Sequence, residues 1–145
     1  MVEMKEGLRM VTLKAARALL DEKGLRSSAT RIHVLAYLLS YPSHPTADEI
    51  YQALLPKMLT LSKTTIYNTL DLLTEANITR QITIDGKEAR FDIIIVDHGH
   101  FQCNTCKHIY DFSVDLDECM VADLTGFKVA QRNIYFKGIC PNCQK

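Results

Sequence analysis

The chain has 145 residues, enough for one compact domain or two small ones. Its 47% hydrophobic and 23% charged residues exclude a disordered chain, and no apolar run approaches the roughly 20 residues of a membrane span. The formal net charge is zero, but residues 1–84 carry 10 Lys+Arg against 8 Asp+Glu and residues 85–145 carry 7 against 9, so any polyanion site is expected in the first part.

The start, MVEMKEGLRM, has charges where a secretory signal would be apolar, so a cytoplasmic protein is expected. Apolar residues at helical spacing from Leu8 to Leu20 predict a first helix, with Gly24 at its C-cap. Ser27 or Ser28 can cap a second helix, through Ile32, Val34, Leu35, Leu38 and Leu39, that stops before Tyr41-Pro42. Thr46-Ala47-Asp48-Glu49 reads as a capping box opening a third helix with Ile50, Tyr51, Leu54 and Leu55 on its apolar face. Ser62 can cap a fourth, with Ile66, Tyr67, Leu70, Leu72 and Leu73 inside. Then the pattern changes to a strand at Thr79 to Ile84, a turn at Asp85-Gly86 and a strand at Glu88 to Val96. Helices followed by a hairpin outline a winged helix-turn-helix. Beyond His98 the pattern predicts short strands at Phe101-Gln102 and Ile109 to Phe112. A short helix is expected around Leu116 to Leu124, and a last strand from Val129 to Phe136. The expected class is α+β: a winged helix-turn-helix domain over 1–90, a hinge over 91–98, and a smaller α/β domain over 99–145.

The segment 61–78 is the candidate recognition helix. Lys63, Thr64, Thr65, Tyr67 and Asn68 crowd its first two turns, the part of such a helix that meets base edges. Lys63 and the hydroxyls suit phosphates, and Asn68 can pair bidentately with adenine. A polar-faced surface helix with a serine cap is the bland alternative; the hairpin that follows favours DNA, since a wing belongs there.

Cys103-x-x-Cys106 and Cys140-x-x-Cys143 form two knuckles able to surround zinc with four thiolates. Such a closed site is structural, with no open position for catalysis. Unmetallated thiols or a redox pair are the alternatives, and a reducing compartment disfavours disulfides. Cys119 is left over and is expected to be a small buried apolar residue.

Two histidines stand beside the first knuckle, in DHGHFQCNTC. On a strand His98 and His100 share one face, while Phe101 and Cys103 face the other way. Two back-to-back sites follow, rather than one. Asp92 falls on the same alternating face as His98, and Asp111 lies on the facing strand. Imidazoles with carboxylates suit Fe(II), Mn(II) or zinc. Spacing does not single out His44, and His33 and His108 are read as surface residues.

The order of these motifs resembles the ferric uptake regulator family. The matching stretches are His44-Pro45-Thr46-Ala47-Asp48-Glu49-Ile50-Tyr51, Ser62 to Leu70, Arg90-Phe91-Asp92, Asp97-His98-Gly99-His100-Phe101-Gln102-Cys103-x-x-Cys106 and the closing Cys140-x-x-Cys143. Within it the chain is most similar to the peroxide-stress branch. Asp111 stands where iron sensors typically carry Glu, and Asn68 where they often carry Arg. Two departures stand out: Ser28-Ala29-Thr30-Arg31 lacks the family's usual proline, and Gly99 is small for its position and is expected to loosen the segment.

The resemblance implies a dimeric, metal-dependent bacterial transcription repressor, not an enzyme, with 1–90 binding double-stranded DNA and 99–145 as the dimerisation and metal-binding domain. It implies a regulatory Fe(II) or Mn(II) on His44, Asp92, His98, His100 and Asp111, and a structural zinc on the four cysteines. It also implies that peroxide, with Fe(II) bound, oxidises His44 or His98, and that DNA is then released. Three other readings stand beside it: an iron-, zinc- or manganese-responsive regulator of the same family, a non-haem metalloenzyme, and a zinc-stapled interaction module.

Overall fold

The computed structural model describes residues 2–40, 44–94, 98–114, 122–129 and 132–145, with side chains for all of these except residues 2–11 and Ala122. The chain divides into two compact units, Met1–Ile94 and Ile95–Lys145.

The first unit holds α1 (Val2–Glu22), α2 (Ala29–Ser40), α3 (Ala47–Leu54) and α4 (Lys63–Glu75), then the hairpin of β1 (Thr79–Ile82) and β2 (Arg90–Ile93). Local signals set the helix ends. Gly24 takes a left-handed φ of 70° after α1, a conformation that costs glycine nothing. Thr46 and Glu49 close the expected capping box on α3, and the Ser62 hydroxyl accepts the Thr65 N–H at the start of α4. Each helix then turns its apolar stripe inward. Ala16 and Leu20, Val34 and Leu35, Ile50, and Ile66, Leu70 and Leu73 are all fully buried in one cluster. Burial of each large aliphatic side chain there contributes about 1.5–3 kcal/mol. β2 is shorter than the expected Glu88 to Val96: pairing with β1 runs only from Ile82↔Arg90 to Thr79↔Ile93, and Ile94 is exposed.

The second unit is a three-stranded sheet in the order β4-β3-β5, with β3 (His98–Cys103) between β4 (Ile109–Ser113) and β5 (Tyr135–Gly138). β3 runs antiparallel to β4 and parallel to β5. The expected last strand from Val129 to Phe136 is displaced to Tyr135–Gly138, because its ladder follows β3 from His100↔Tyr135 to Cys103↔Gly138. Of the expected helix at Leu116 to Leu124, only a 3-10 turn at Ala122–Leu124 falls among the described residues. Cys119 lies outside them. Among the described residues no helix is long and apolar enough to cross a membrane.

Candidate metal centres

The four knuckle cysteines come together in the second unit. β3 ends at Cys103, whose N–H donates to the His108 carbonyl and whose carbonyl accepts the Lys107 N–H, at 3.0 Å each. Lys107 turns the chain at a φ of 64°. The parallel ladder sets Gly138 against Cys103, which delivers Cys140 two residues later. All four sulfurs lie within 4.8 Å of one another, and Cys106 Sγ is 3.9 Å from Cys140 Sγ. Four thiolates at the usual zinc–sulfur distance of ~2.3 Å around a tetrahedral ion stand about 3.8 Å apart, so the donor set fits zinc in chemistry and in size.

The local charges agree. The Cys140 and Cys106 backbone N–H groups hold the Cys103 thiol down to about 5, so that sulfur favours the thiolate. Tyr110, through its hydroxyl, lowers Cys140 as well. Hydrogen bonding to Cys140, with burial, pushes Cys143 up to about 12. Crowded sulfurs divide the remaining protons unequally, and a dication in their midst removes the need for those protons.

In the first unit, backbone pairing joins two residues that are distant in sequence. The Phe91 N–H donates to the Pro45 carbonyl at 3.0 Å, Thr46 and Arg90 form an antiparallel bridge, and Arg90 Nη1 donates to the His44 carbonyl at 3.1 Å. His44 itself sits at a φ of 54°. This short ladder brings the buried His44 Nε2 to 4.0 Å from Asp92 Oδ1.

In the second unit, sheet register places the other candidate ligands. His100 lies directly opposite Asp111 in the β3–β4 ladder, and its Nε2 is 3.4 Å from Asp111 Oδ1. His98 Nε2 is 3.9 Å from the same oxygen, and the two imidazole rings meet edge to face at 4.7 Å. The opposite face of β3 carries Gly99, Phe101 and Cys103, as strand alternation requires. A Cβ on Gly99 would collide with the Phe112 ring, which stacks flat on Phe136 at 5.1 Å. The glycine therefore has a packing reason. Both groups of candidate ligands offer only nitrogen and carboxylate oxygen, donors that suit Fe(II) or Mn(II).

The candidate recognition residues line the outer face of α4. Lys63, Thr64, Thr65, Tyr67 and Asn68 are exposed, while Ile66, Thr69 and Leu70 face the core. Lys63 Nζ pairs with Asp48 at 2.8 Å and lies 5.6 Å from the centre of the Tyr51 ring. That contact links α3 to α4 at the start of the helix. The Thr65 hydroxyl is engaged with Ser62 at 2.7 Å.

The Ferric uptake regulator family model matches residues 22–137. The chain belongs to this family. It is 38% identical over 136 residues to the Peroxide operon regulator of Bacillus subtilis, across 92% of this chain and 94% of that protein. The solved structure of PerR from Streptococcus pyogenes, described as the basis for its peroxide sensing and gene regulation, aligns at 30% identity and a TM-score of 0.52, covering 92% and 93% of the two chains. The Helicobacter pylori ferric uptake regulator aligns at a TM-score of 0.70 and 22% identity over 94% of each, which bears on the fold alone. This Fur-family chain is therefore a metal-dependent transcription repressor rather than an enzyme, and the α+β fold expected from its sequence agrees with these neighbours.

Sequence reasoning missed Arg80. It faces Asp92 across the β1–β2 ladder and is buried with it. Counting back from a two-residue Asp85-Gly86 turn sets Arg80 opposite Phe91, one position off the observed register, so the pair was not legible in the sequence.

Proposed function

We propose that this Fur-family repressor senses hydrogen peroxide. The observation that carries the reading is that each unit sets imidazole against carboxylate: His44 against Asp92 in the first, and His98 and His100 against Asp111 in the second. In this proposal all five serve one Fe(II) or Mn(II) ion, and Cys103, Cys106, Cys140 and Cys143 hold a structural zinc. Lys63, Thr64, Thr65, Tyr67 and Asn68 meet the operator in a homodimer.

A ligand shared between two units favours whichever arrangement of them it binds better, and only by that difference. His44 and Asp92 are the members that the DNA-binding unit contributes, so loss of either would uncouple metal binding from recognition-helix placement. Two recognition helices must match half-sites about 34–36 Å apart, or a multiple of that.

When bound, Fe(II) supplies the redox chemistry for peroxide reduction. The oxygen–oxygen bond of hydrogen peroxide breaks; one oxygen enters an imidazole C–H of His44 or His98 and the other leaves as water. The imidazole loses two electrons and peroxide gains them. The oxidised ring is a poorer donor, the ligand set fails, and DNA is released. Similarity to the peroxide regulators supports this reading over the iron-, zinc- or manganese-responsive alternative.

The test loads the protein with Fe(II) or Mn(II), adds peroxide and maps oxygen incorporation by peptide mass spectrometry, with operator binding followed in parallel. The expected result is one added oxygen on the peptide holding His44 or His98 in the iron form alone, together with loss of DNA binding. Intact His44 and His98 peptides in the iron form would move the chain to the metal-responsive alternative.

A further inference from the structure

Arg80 and Asp92 lie directly opposite in the β1–β2 register, and only 9% and 10% of their side-chain surfaces are exposed. Arg80 Nε and Nη2 both donate to Asp92 Oδ2, each at 3.4 Å. Asp92 Oδ1 stands 4.0 Å from His44 Nε2. The carboxylate thus carries a buried cation on one oxygen and faces an imidazole with the other.

That arrangement has two opposing effects on a divalent ion held by Asp92. The guanidinium fork fixes the carboxylate in one rotamer, which favours binding. It also places a permanent positive charge against the ligand, which opposes the arrival of a second cation. Fixing a short, already buried aspartate saves little conformational entropy. Repulsion between a unit charge and a divalent ion is twice that between two unit charges at the same distance, and burial weakens the screening. The charge effect outweighs the orientation effect.

We propose that Arg80 is an internal competitor for the regulatory cation. It neutralises Asp92 in the metal-free protein, keeps the buried carboxylate tolerable there, and sets the metal affinity below what the ligands alone would give. Arg80 is a positioning residue and not a ligand. The inference rests on the reading of Asp92 as a metal ligand.

The sign of the effect separates this from a merely structural role. Removing a structural arginine would lower both the stability of the metal-free protein and its metal affinity. Removing a competitor lowers the first and raises the second. The experiment uses the full-length, zinc-replete chain and follows free Mn(II) by electron paramagnetic resonance during titration, with the metal-free melting temperature measured alongside. Arg80→Met and Arg80→Gln are expected to bind Mn(II) about tenfold more tightly, at the low end of the effects of residues behind metal ligands. Both are expected to melt at lower temperature without Mn(II). Arg80→Lys keeps the charge and should stay close to wild type. The glutamine variant retains a polar donor for Asp92 and serves where the methionine variant fails to fold. Unchanged or weaker Mn(II) binding in the uncharged variants would overturn the proposal. Wild-type Mn(II) affinity in Asp92→Asn would instead overturn the ligand assignment beneath it, and the proposal with it.

Discussion

The Cys140 backbone N–H donates to the Cys103 sulfur across 3.4 Å, and this bond joins the two cysteine knuckles. Cys103 ends β3 and Cys140 follows β5, so a zinc on the four sulfurs would lock the parallel strand pair at one end. A sheet of three short strands has little buried apolar surface with which to hold itself together. Cys103→Ser is expected to reduce zinc from about one ion per chain to a small fraction and to lower the melting temperature by more than about 10 °C. Elemental analysis and calorimetry on the purified protein check both. A zinc-free variant that melts like wild type would remove the structural role.

Thr46 and Glu49 exchange two hydrogen bonds at the start of α3: Glu49 N–H to Thr46 Oγ1 at 3.2 Å, and Thr46 N–H to Glu49 Oε2 at 2.9 Å. Thr46 also bridges to Arg90, so the same residue caps a helix and anchors the ladder that holds His44 near Asp92. Thr46→Ala should cost about 1 kcal/mol, whereas Glu49→Gln, which preserves the box, should cost less than about 0.5 kcal/mol. Urea denaturation of the metal-free protein measures both. Equal costs would show that the cap is not what the threonine supplies.

How much of this was legible in the sequence depends on how far apart the partners lie. The Thr46 box, the Ser62 cap and the two knuckles are local spacings, and each appears where the spacing placed it. His98 and His100 share a face because strands alternate, a rule that needs no tertiary information. His44 beside Asp92 depends on a backbone ladder between segments more than forty residues apart, which no period reveals. Arg80 required a strand register, and Gly99 required the position of the Phe112 ring. The bounds of β5 required its partner, since a parallel edge strand is only as long as the neighbour that pairs with it.

Gly99 gives a direct test of that packing. An added Cβ would stand 2.9 Å from Phe112 Cε1 and nearer still to two other ring carbons, and the ring is backed by Phe136. Gly99→Ala should therefore destabilise the protein by about 1–3 kcal/mol, the usual cost of overpacking. Phe112→Leu should relieve part of the strain. The double variant should then be more stable than the sum of the single effects by about 0.5 kcal/mol or more. Thermal denaturation of the four proteins completes the cycle, and strict additivity would show that the two residues do not share the space.

Asp85 offers a test of pH dependence in the wing. Its side chain opens the Asp85-Gly86 turn, accepts the Lys87 N–H at Oδ1 (3.1 Å) and receives Arg90 Nε at Oδ2 (3.4 Å). Partial burial pushes the carboxyl upward, but the Lys87 N–H and the Arg90 guanidinium outweigh it, and the group ends below its ordinary value. A carboxyl depressed in the folded state binds its proton more readily when unfolded. Its stabilisation is therefore complete above the unfolded value, near pH 3.9, and is lost as pH falls through the lower folded one. Asp85→Asn removes the charge but keeps an acceptor for the Lys87 N–H. The variant should be less stable than wild type by up to about 1 kcal/mol at neutral pH, as for a partly exposed ion pair. That gap should close as pH drops below about 4. Comparison at matched pH cancels contributions common to both proteins, including zinc. A gap that persists or widens in acid would mean that the Asp85 charge is not what Arg90 needs to hold the His44 carbonyl in place.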